Sequence, residues 1–297
     1  MIEEPVMEGY KIKRTGIRYF GSKIRALPLL LSYFPEPTRT TIFIDVFCGS
    51  GVVTVNYGAR NNVMNDKDDL LFSYFKVVSN LDSLNEFKKE LKSVVRGQAW
   101  FDDLLTREDV IGKALLFYML NRNNFSGKVD LTEKSPFHVH LPRNIPLAIY
   151  DDLVKFFEET DTRVWNYDFR RVLDRAMAHK VTNKYGVFIY LDPPYYDAGR
   201  NLYSKDWTIE DQNDLNTYCE DLPHHWIMSN ENTDEVREMF GKFYSKEVRW
   251  YYSGSSTECT ISKSEGKSEL LFSNRKFVKR PLGSDLEDMK KLDEWIN

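Results

Sequence analysis

The chain has 297 residues, 42% of them hydrophobic and 29% charged, with a net charge of -4. This is the composition of a globular domain with room for a smaller insert. It excludes a membrane-spanning helix, because no apolar run reaches the ~18 residues with which a helix crosses a bilayer.

The N-terminal Met1-Ile2-Glu3-Glu4 lacks the basic-then-apolar pattern of a secretory signal, so a cytoplasmic protein without a membrane partner is expected. Cysteines occur at Cys48, Cys219 and Cys259. The odd count argues against a disulfide framework, and the spacing fits no zinc pattern. His138, His140, His224 and His225 have no neighbouring ligands that complete a metal site, so no metal is expected. The acidic balance counts against a nucleic-acid partner. Basic residues nevertheless gather in 11–25, 122–143 and 275–280, as ordinary solvated surface or as phosphate contacts.

The first 80 residues predict strand, turn, helix, strand, helix. Residues 41–47 are branched and aromatic, as in a buried strand. Cys48-Gly49-Ser50-Gly51 forms a turn, 52–59 a helix, and Val63-Met64-Asn65-Asp66 a second strand with an acidic end. Asp68 is placed to cap a helix over 68–78. The stretch 81–160 reads as an insert, helical over 84–95 and 111–120 and then irregular and polar over 121–145. From 161 to 297 strands and helices alternate again. Val187-Phe188-Ile189-Tyr190-Leu191 is a continuous apolar run, as for a strand buried on both faces. Thr208-Ile209-Glu210-Asp211 resembles a capping box. Residues 226–229 and 269–272 read as strands, 253–268 as a mobile Ser/Gly/Lys segment, and 285–296 as a surface helix.

Two motifs carry chemistry. In Asp45-Val46-Phe47-Cys48-Gly49-Ser50-Gly51, glycines after a strand let a ligand approach the backbone. An acid at the end of the next strand, Asp66, can accept hydrogen bonds from ribose hydroxyls, as in nucleoside sites of doubly wound folds. Taken alone, the same G-x-G also fits a tight turn. The second motif, Asp192-Pro193-Pro194-Tyr195, directly follows the buried run. Two prolines end the strand, which places the motif at the carboxyl edge of a sheet. They also hold Asp192 and a nearby carbonyl as fixed acceptors. An amino group on an aromatic ring is a poor nucleophile, and acceptors aimed at its hydrogens favour the pyramidal, attacking form. Tyr195 offers a face on which a flipped base can stack.

In this order the motifs resemble those of the Dam-type DNA N6-adenine methyltransferases. Phe47-Cys48-Gly49-Ser50-Gly51 resembles the family's F-x-G-x-G, and Asp192-Pro193-Pro194-Tyr195 its D-P-P-Y. Tyr19-Phe20-Gly21-Ser22-Lys23 is similar to its aromatic-x-G-G-K segment, with Ser22 in place of a glycine. Asn121-Arg122-Asn123-Asn124-Phe125-Ser126-Gly127 is similar to N-R-x-x-[YF]-N-G, with Ser126 in place of asparagine. Asn166-Tyr167-Asp168-Phe169 is similar to N-x-D-F. Ile227-Met228-Ser229-Asn230 and Lys267-Ser268-Glu269-Leu270-Leu271 resemble late motifs of the family. The likeness runs from about Arg18 to Asn274.

The resemblance implies an α/β, Rossmann-like methyltransferase fold: a mostly parallel, doubly wound sheet with a mainly helical inserted target-recognition domain. It implies S-adenosylmethionine as cofactor, held by Tyr19, Lys23, Phe47, Gly49, Gly51, Asp66, Asp168, Phe169 and Asp192. Catalysis falls to Asp192, Pro193, Pro194 and Tyr195. The partner is double-stranded DNA, touched by Arg122, Asn124, Lys128, Asp130 and His140, with the chain a monomer or weak dimer. Lys128 and Asp130 stand where Dam relatives carry an apolar residue and then an arginine, and His140 stands where they carry a proline. The resemblance therefore leaves open whether the family's usual G-A-T-C is the target. Methylation of RNA adenine, or DNA binding by an inactive relative, are the alternatives.

Overall fold

The computed structural model describes residues 12–19, 21–93, 98–123, 148–179, 186–195, 207–250 and 267–280. In chain order the elements are α1 Leu27–Tyr33, β1 Ile42–Asp45, α2 Val52–Tyr57, β2 Asn61–Asn65, α3 Asp69–Val78, α4 Leu81–Ser93, α5 Gln98–Leu104, α6 Val110–Asn123 and α7 Ala148–Glu159. They continue with β3 Asp161–Trp165, α8 Phe169–Ala178, β4 Val187–Leu191, α9 Ile209–Asp221, β5 His225–Glu231, α10 Asp234–Met239, β6 Tyr244–Trp250 and β7 Lys267–Ser273. The chain divides into two compact units, one of residues 13–22 and 37–172, the other of 1–12, 23–36 and 173–297.

In the first unit three strands run parallel in the order β3-β2-β1. Their register aligns Asp45 with Met64 and Asn65 with Trp165, so the loops leaving all three carboxyl ends lie side by side. Open α/β sheets bind ligands at such an edge. Helix α3 starts where expected: Asp68 accepts the N–H groups of Leu70 and Leu71 at 2.8 and 3.0 Å. Its apolar residues join a core with α4, α6 and α7 that includes Tyr74, Phe75, Phe87, Phe117, Tyr118 and Phe156. Helix α6 is apolar on every side from Ala114 to Leu120, and it is buried accordingly. The described helices of the expected insert thus share one core and one compact unit with β1–β3.

In the second unit β4 pairs parallel with β5, and β7 lies antiparallel between β5 and β6. Strand β4 is buried along its whole length, as its apolar run predicts. Phe34, after α1, packs its ring 4.9 Å from Phe188 and 5.2 Å from Tyr190. The capping box forms at Thr208 and Asp211 and opens α9. The strands of the described residues are mostly parallel, in an α/β fold, as expected.

Strands β3 and β6 have no counterpart in the sequence reading. Both are polar: β3 is half-exposed, and in β6 Val248 is the buried residue. Sheet edges tolerate charge and so lose the apolar signal. Of the segment 253–268, expected to be mobile, Lys267 and Ser268 open β7, and 253–266 lies outside the described residues, as does the expected helix 285–296.

Candidate active site

The glycine turn after β1 brings two different constraints together. Gly49 has φ +46°, and a Cβ there would sit 2.8 Å from Cε1 of Tyr19. Tyr19 thus closes over the turn, where only glycine leaves room. Gly51 has φ +69°, and its Cβ would strike Met64 at 2.7 Å and Phe75 at 2.8 Å. Its lack of a side chain serves the core rather than a ligand surface. The Gly49 N–H donates to Asp66 Oδ2 at 3.0 Å, tying the turn to the acid after β2.

Asn65, 1% exposed, locks this edge. Its Nδ2 donates to the carbonyls of Val46 at 2.9 Å and Tyr167 at 3.0 Å, and its Oδ1 accepts the Tyr167 N–H at 2.9 Å. One buried amide therefore joins the loops after β1 and β3 to the end of β2. Asn166 donates to the carbonyls of Asp66 and Lys67, both at 3.0 Å. In the sequence these segments stand out by their acids. The asparagines that hold the acids in place were legible only as motif letters.

Asp66 and Asp168 follow the ends of β2 and β3. Burial pushes the Asp66 carboxyl up to about 6, the charge of Asp68 adds to this, and backbone N–H groups of Asp68 and Gly49 oppose it. Asp168 is partly exposed and accepts the Arg170 N–H at 3.0 Å. Between these loops, the rings of Phe47 and Phe169 lie 5.7 Å apart at 35°. Two carboxylates, an aromatic wall and a glycine turn suit a nucleoside: one acid for a diol, the other for an amino group. Cys48 is buried, and burial with the charges of Asp66 and Asp45 holds its thiol well above the ordinary value. It is therefore protonated and no nucleophile.

In the second unit, Asp192 leaves β4 into a set of polar groups. Lys23 Nζ lies 2.7 Å from Asp192 Oδ1 and 3.6 Å from Glu269 Oε2. It also donates to the Tyr195 hydroxyl at 3.2 Å. The Ser229 hydroxyl donates to Asp192 Oδ1 at 2.7 Å. Lys23, expected as a cofactor contact, thus has Asp192, Glu269 and Tyr195 as partners. Tyr195 is 7% exposed. Burial, and then the charges of Glu269 and Asp192, push its phenol well above the ordinary value. Pro193 is buried and Pro194 partly so.

A model of the D12 class N6 adenine-specific DNA methyltransferases matches residues 19–253. The chain belongs to this family. Members of it take their methyl group from S-adenosylmethionine. The DNA N-6-adenine-methyltransferase of Escherichia phage P1 is 23% identical in an alignment of 263 residues that covers 80% of this chain and 32% of that protein. The chain therefore spans about a third of that relative's length. Among solved structures, a SAM-dependent methyltransferase from Agrobacterium tumefaciens aligns over 92% of this chain and 72% of its own, at 12% identity and a TM-score of 0.41. The rRNA methyltransferase aviRa from Streptomyces viridochromogenes aligns over 91% and 87%, at 9% identity and a TM-score of 0.36. Likenesses this loose do not bear on what the chain does.

Within this D12 class chain, the Asn121-Arg122 pair is turned inward. Asn121 accepts the Arg18 N–H at 2.9 Å and donates to the Arg18 carbonyl, and Arg122 Nη2 donates to the Gly16 carbonyl. The Arg122 guanidinium sits 5.3 Å from the ring centroid of Tyr118. Arg122, expected among the DNA contacts, here anchors the segment that carries Tyr19. Asn124, Lys128, Asp130 and His140 lie outside the described residues. Ser229 and Glu269 fall in late motifs without an assigned role, and no local signal marks them, because their partners, Asp192 for Ser229 and Lys23 for Glu269, are remote in sequence. Among the described residues there is no cluster of three potential metal ligands, and no helix is long and apolar enough to cross a membrane.

Proposed function

We propose that the chain is a site-specific methyltransferase that moves a methyl group from S-adenosylmethionine to N6 of an adenine flipped out of double-stranded DNA. The observation that supports this best is the setting of Asp192. It stands at the carboxyl end of a fully buried strand, braced by two prolines, with Oδ1 held by Lys23 and Ser229. Its Oδ2 and a carbonyl of the Pro193-Pro194 segment serve as acceptors for the two amino hydrogens. That draws the nitrogen lone pair out of conjugation with the ring. S-adenosylmethionine, when bound, supplies an electrophilic methyl group on a sulfonium.

Asp66 would hold the cofactor ribose, Asp168 its adenine amino group, and Tyr19, Phe47 and Phe169 the flat faces of the base. No covalent enzyme intermediate is needed. Tyr195 is 7% exposed, so stacking of the flipped adenine on it requires one face of that ring to be uncovered. Target reading falls to the segment that follows α6.

The test supplies methyl-labelled S-adenosylmethionine with duplex DNA or with RNA, then identifies the labelled nucleoside by mass spectrometry. N6-methyladenine from DNA is expected. Asp192→Ala should lower the rate on the order of a hundredfold or more while the protein remains folded. Label in RNA alone would move the substrate class to RNA. Cofactor and DNA binding without label would leave a DNA-binding relative.

A further inference from the structure

Ser229 and Tyr190 stand behind Asp192 in a fixed order. The Tyr190 hydroxyl lies 2.8 Å from Ser229 Oγ, and Ser229 Oγ lies 2.7 Å from Asp192 Oδ1. A serine has one hydroxyl hydrogen, and an ionised carboxylate only accepts. Facing the Lys23 ammonium, Asp192 takes that hydrogen. Ser229 must then accept from Tyr190, and the direction of the chain is set: Tyr190 to Ser229 to Asp192.

Both hydroxyl residues are 1% exposed. They ride on the paired strands β4 and β5, where Leu191 is in register with Met228. Asp192 itself lies just past the end of β4 and carries no strand constraint of its own. Lys23 draws the same oxygen, but an ammonium on a flexible stem supplies charge more than direction. A hydroxyl rooted in a sheet supplies direction.

We propose that Ser229 and Tyr190 are positioning residues for Asp192, a two-hydroxyl chain that fixes Oδ1 and so presents Oδ2 to the substrate amino group. This rests on the methyltransferase reading above. Without the chain, the carboxylate can rotate about its last bond, with either oxygen paired to Lys23. The acceptor then loses its aim without losing its charge. Groups that orient a reacting residue in this way typically cost on the order of ten- to a hundredfold when removed, by analogy with outer partners of metal ligands.

The experiment compares wild type, Ser229→Cys, Ser229→Thr, Tyr190→Phe and the double variant Ser229→Cys/Tyr190→Phe. Single-turnover methyl transfer is measured beside cofactor and DNA affinity. Ser229→Cys keeps the volume and removes the good donor, so its rate should fall on the order of ten- to a hundredfold with both affinities unchanged. Ser229→Thr keeps the hydroxyl and should recover most of that loss. Tyr190→Phe should lose less than Ser229→Cys, and nothing further in the double variant, because Tyr190 acts through Ser229. An unchanged rate in Ser229→Cys, additive losses, or a loss confined to affinity would overturn the inference. A wild-type chain that methylates adenine in neither DNA nor RNA would instead bring down the methyltransferase reading, and this inference with it.

Discussion

The ammonium of Lys23 lies 2.7 Å from Oδ1 of Asp192 and 3.6 Å from Oε2 of Glu269, with Lys23 and Glu269 at most 5% exposed. One buried cation thus balances two carboxylates at the end of β4. Removing it leaves two like charges in a poorly hydrated place. Lys23→Met should therefore destabilise the fold by about 3–5 kcal/mol, the usual cost of orphaning a buried ion. The double variant Lys23→Met/Glu269→Gln should recover part of this loss. Urea unfolding of both variants checks the pair. Equal stability of Lys23→Met and wild type would show that the ion pair carries no weight.

As the proposed ribose acceptor, Asp66 should make cofactor binding depend on pH. Its carboxyl is pushed up to about 6, chiefly by burial. Ribose hydroxyls donate to the ionised form, so affinity should hold above pH 6 and fall about tenfold per unit below it. Ligand-free stability moves in the opposite sense. Burial favours the neutral acid, so this group's contribution is full below the ordinary value of 3.8 and is lost as pH rises through about 6. Calorimetric titration of S-adenosylmethionine at several pH values tests the first statement. Asp66→Asn should flatten the profile, and Asp66→Ala should weaken binding by ~1.5–3 kcal/mol for each charged hydrogen bond lost. A steep profile that survives in Asp66→Asn would assign the titration to another group.

Arg122 separates structure from DNA contact by salt dependence. Its guanidinium bonds the Gly16 carbonyl, inside the unit that holds Tyr19. Arg122→Ala should cost ~1.5–3 kcal/mol of stability, the range for a charged hydrogen bond. The salt slope of DNA binding should stay as it is. Loss of a phosphate contact would lower that slope by about one. Binding isotherms over a range of salt, alongside thermal unfolding, distinguish the two.

For the target sequence, Lys128 and Asp130 remain the residues of choice from the sequence. Lys128 can donate to guanine or phosphate, and Asp130 can accept from cytosine in the major groove. Asp130→Ala should change which sites are methylated in a random-sequence library, at ~1–3 kcal/mol of discrimination for one position. Lys128→Ala should lower general affinity or relax a position. If both variants keep the wild-type site preference, base reading belongs elsewhere in the segment.

The sequence by itself determined what depends on neighbours along the chain. The five apolar residues of β4, the prolines that stop it, the Asp68 cap and the Thr208–Asp211 box were all legible. Propensity, periodicity and capping act over a few residues, so a one-dimensional pattern records them. The order of motifs likewise pointed to the family and to Asp66 and Asp192. Only the tertiary structure decided which partners those acids have. Lys23, from the segment before α1, and Ser229, from β5, meet at Asp192, Lys23 also pairs with Glu269 of β7, and Asn65 gathers the loops after β1 and β3 around Asp66. It also turned Arg122 inward and put α4, α6 and α7 in one core with the first strands. A buried polar group must find a partner wherever the fold supplies one. Such partners come from strands and loops far apart in sequence, and no local pattern marks them.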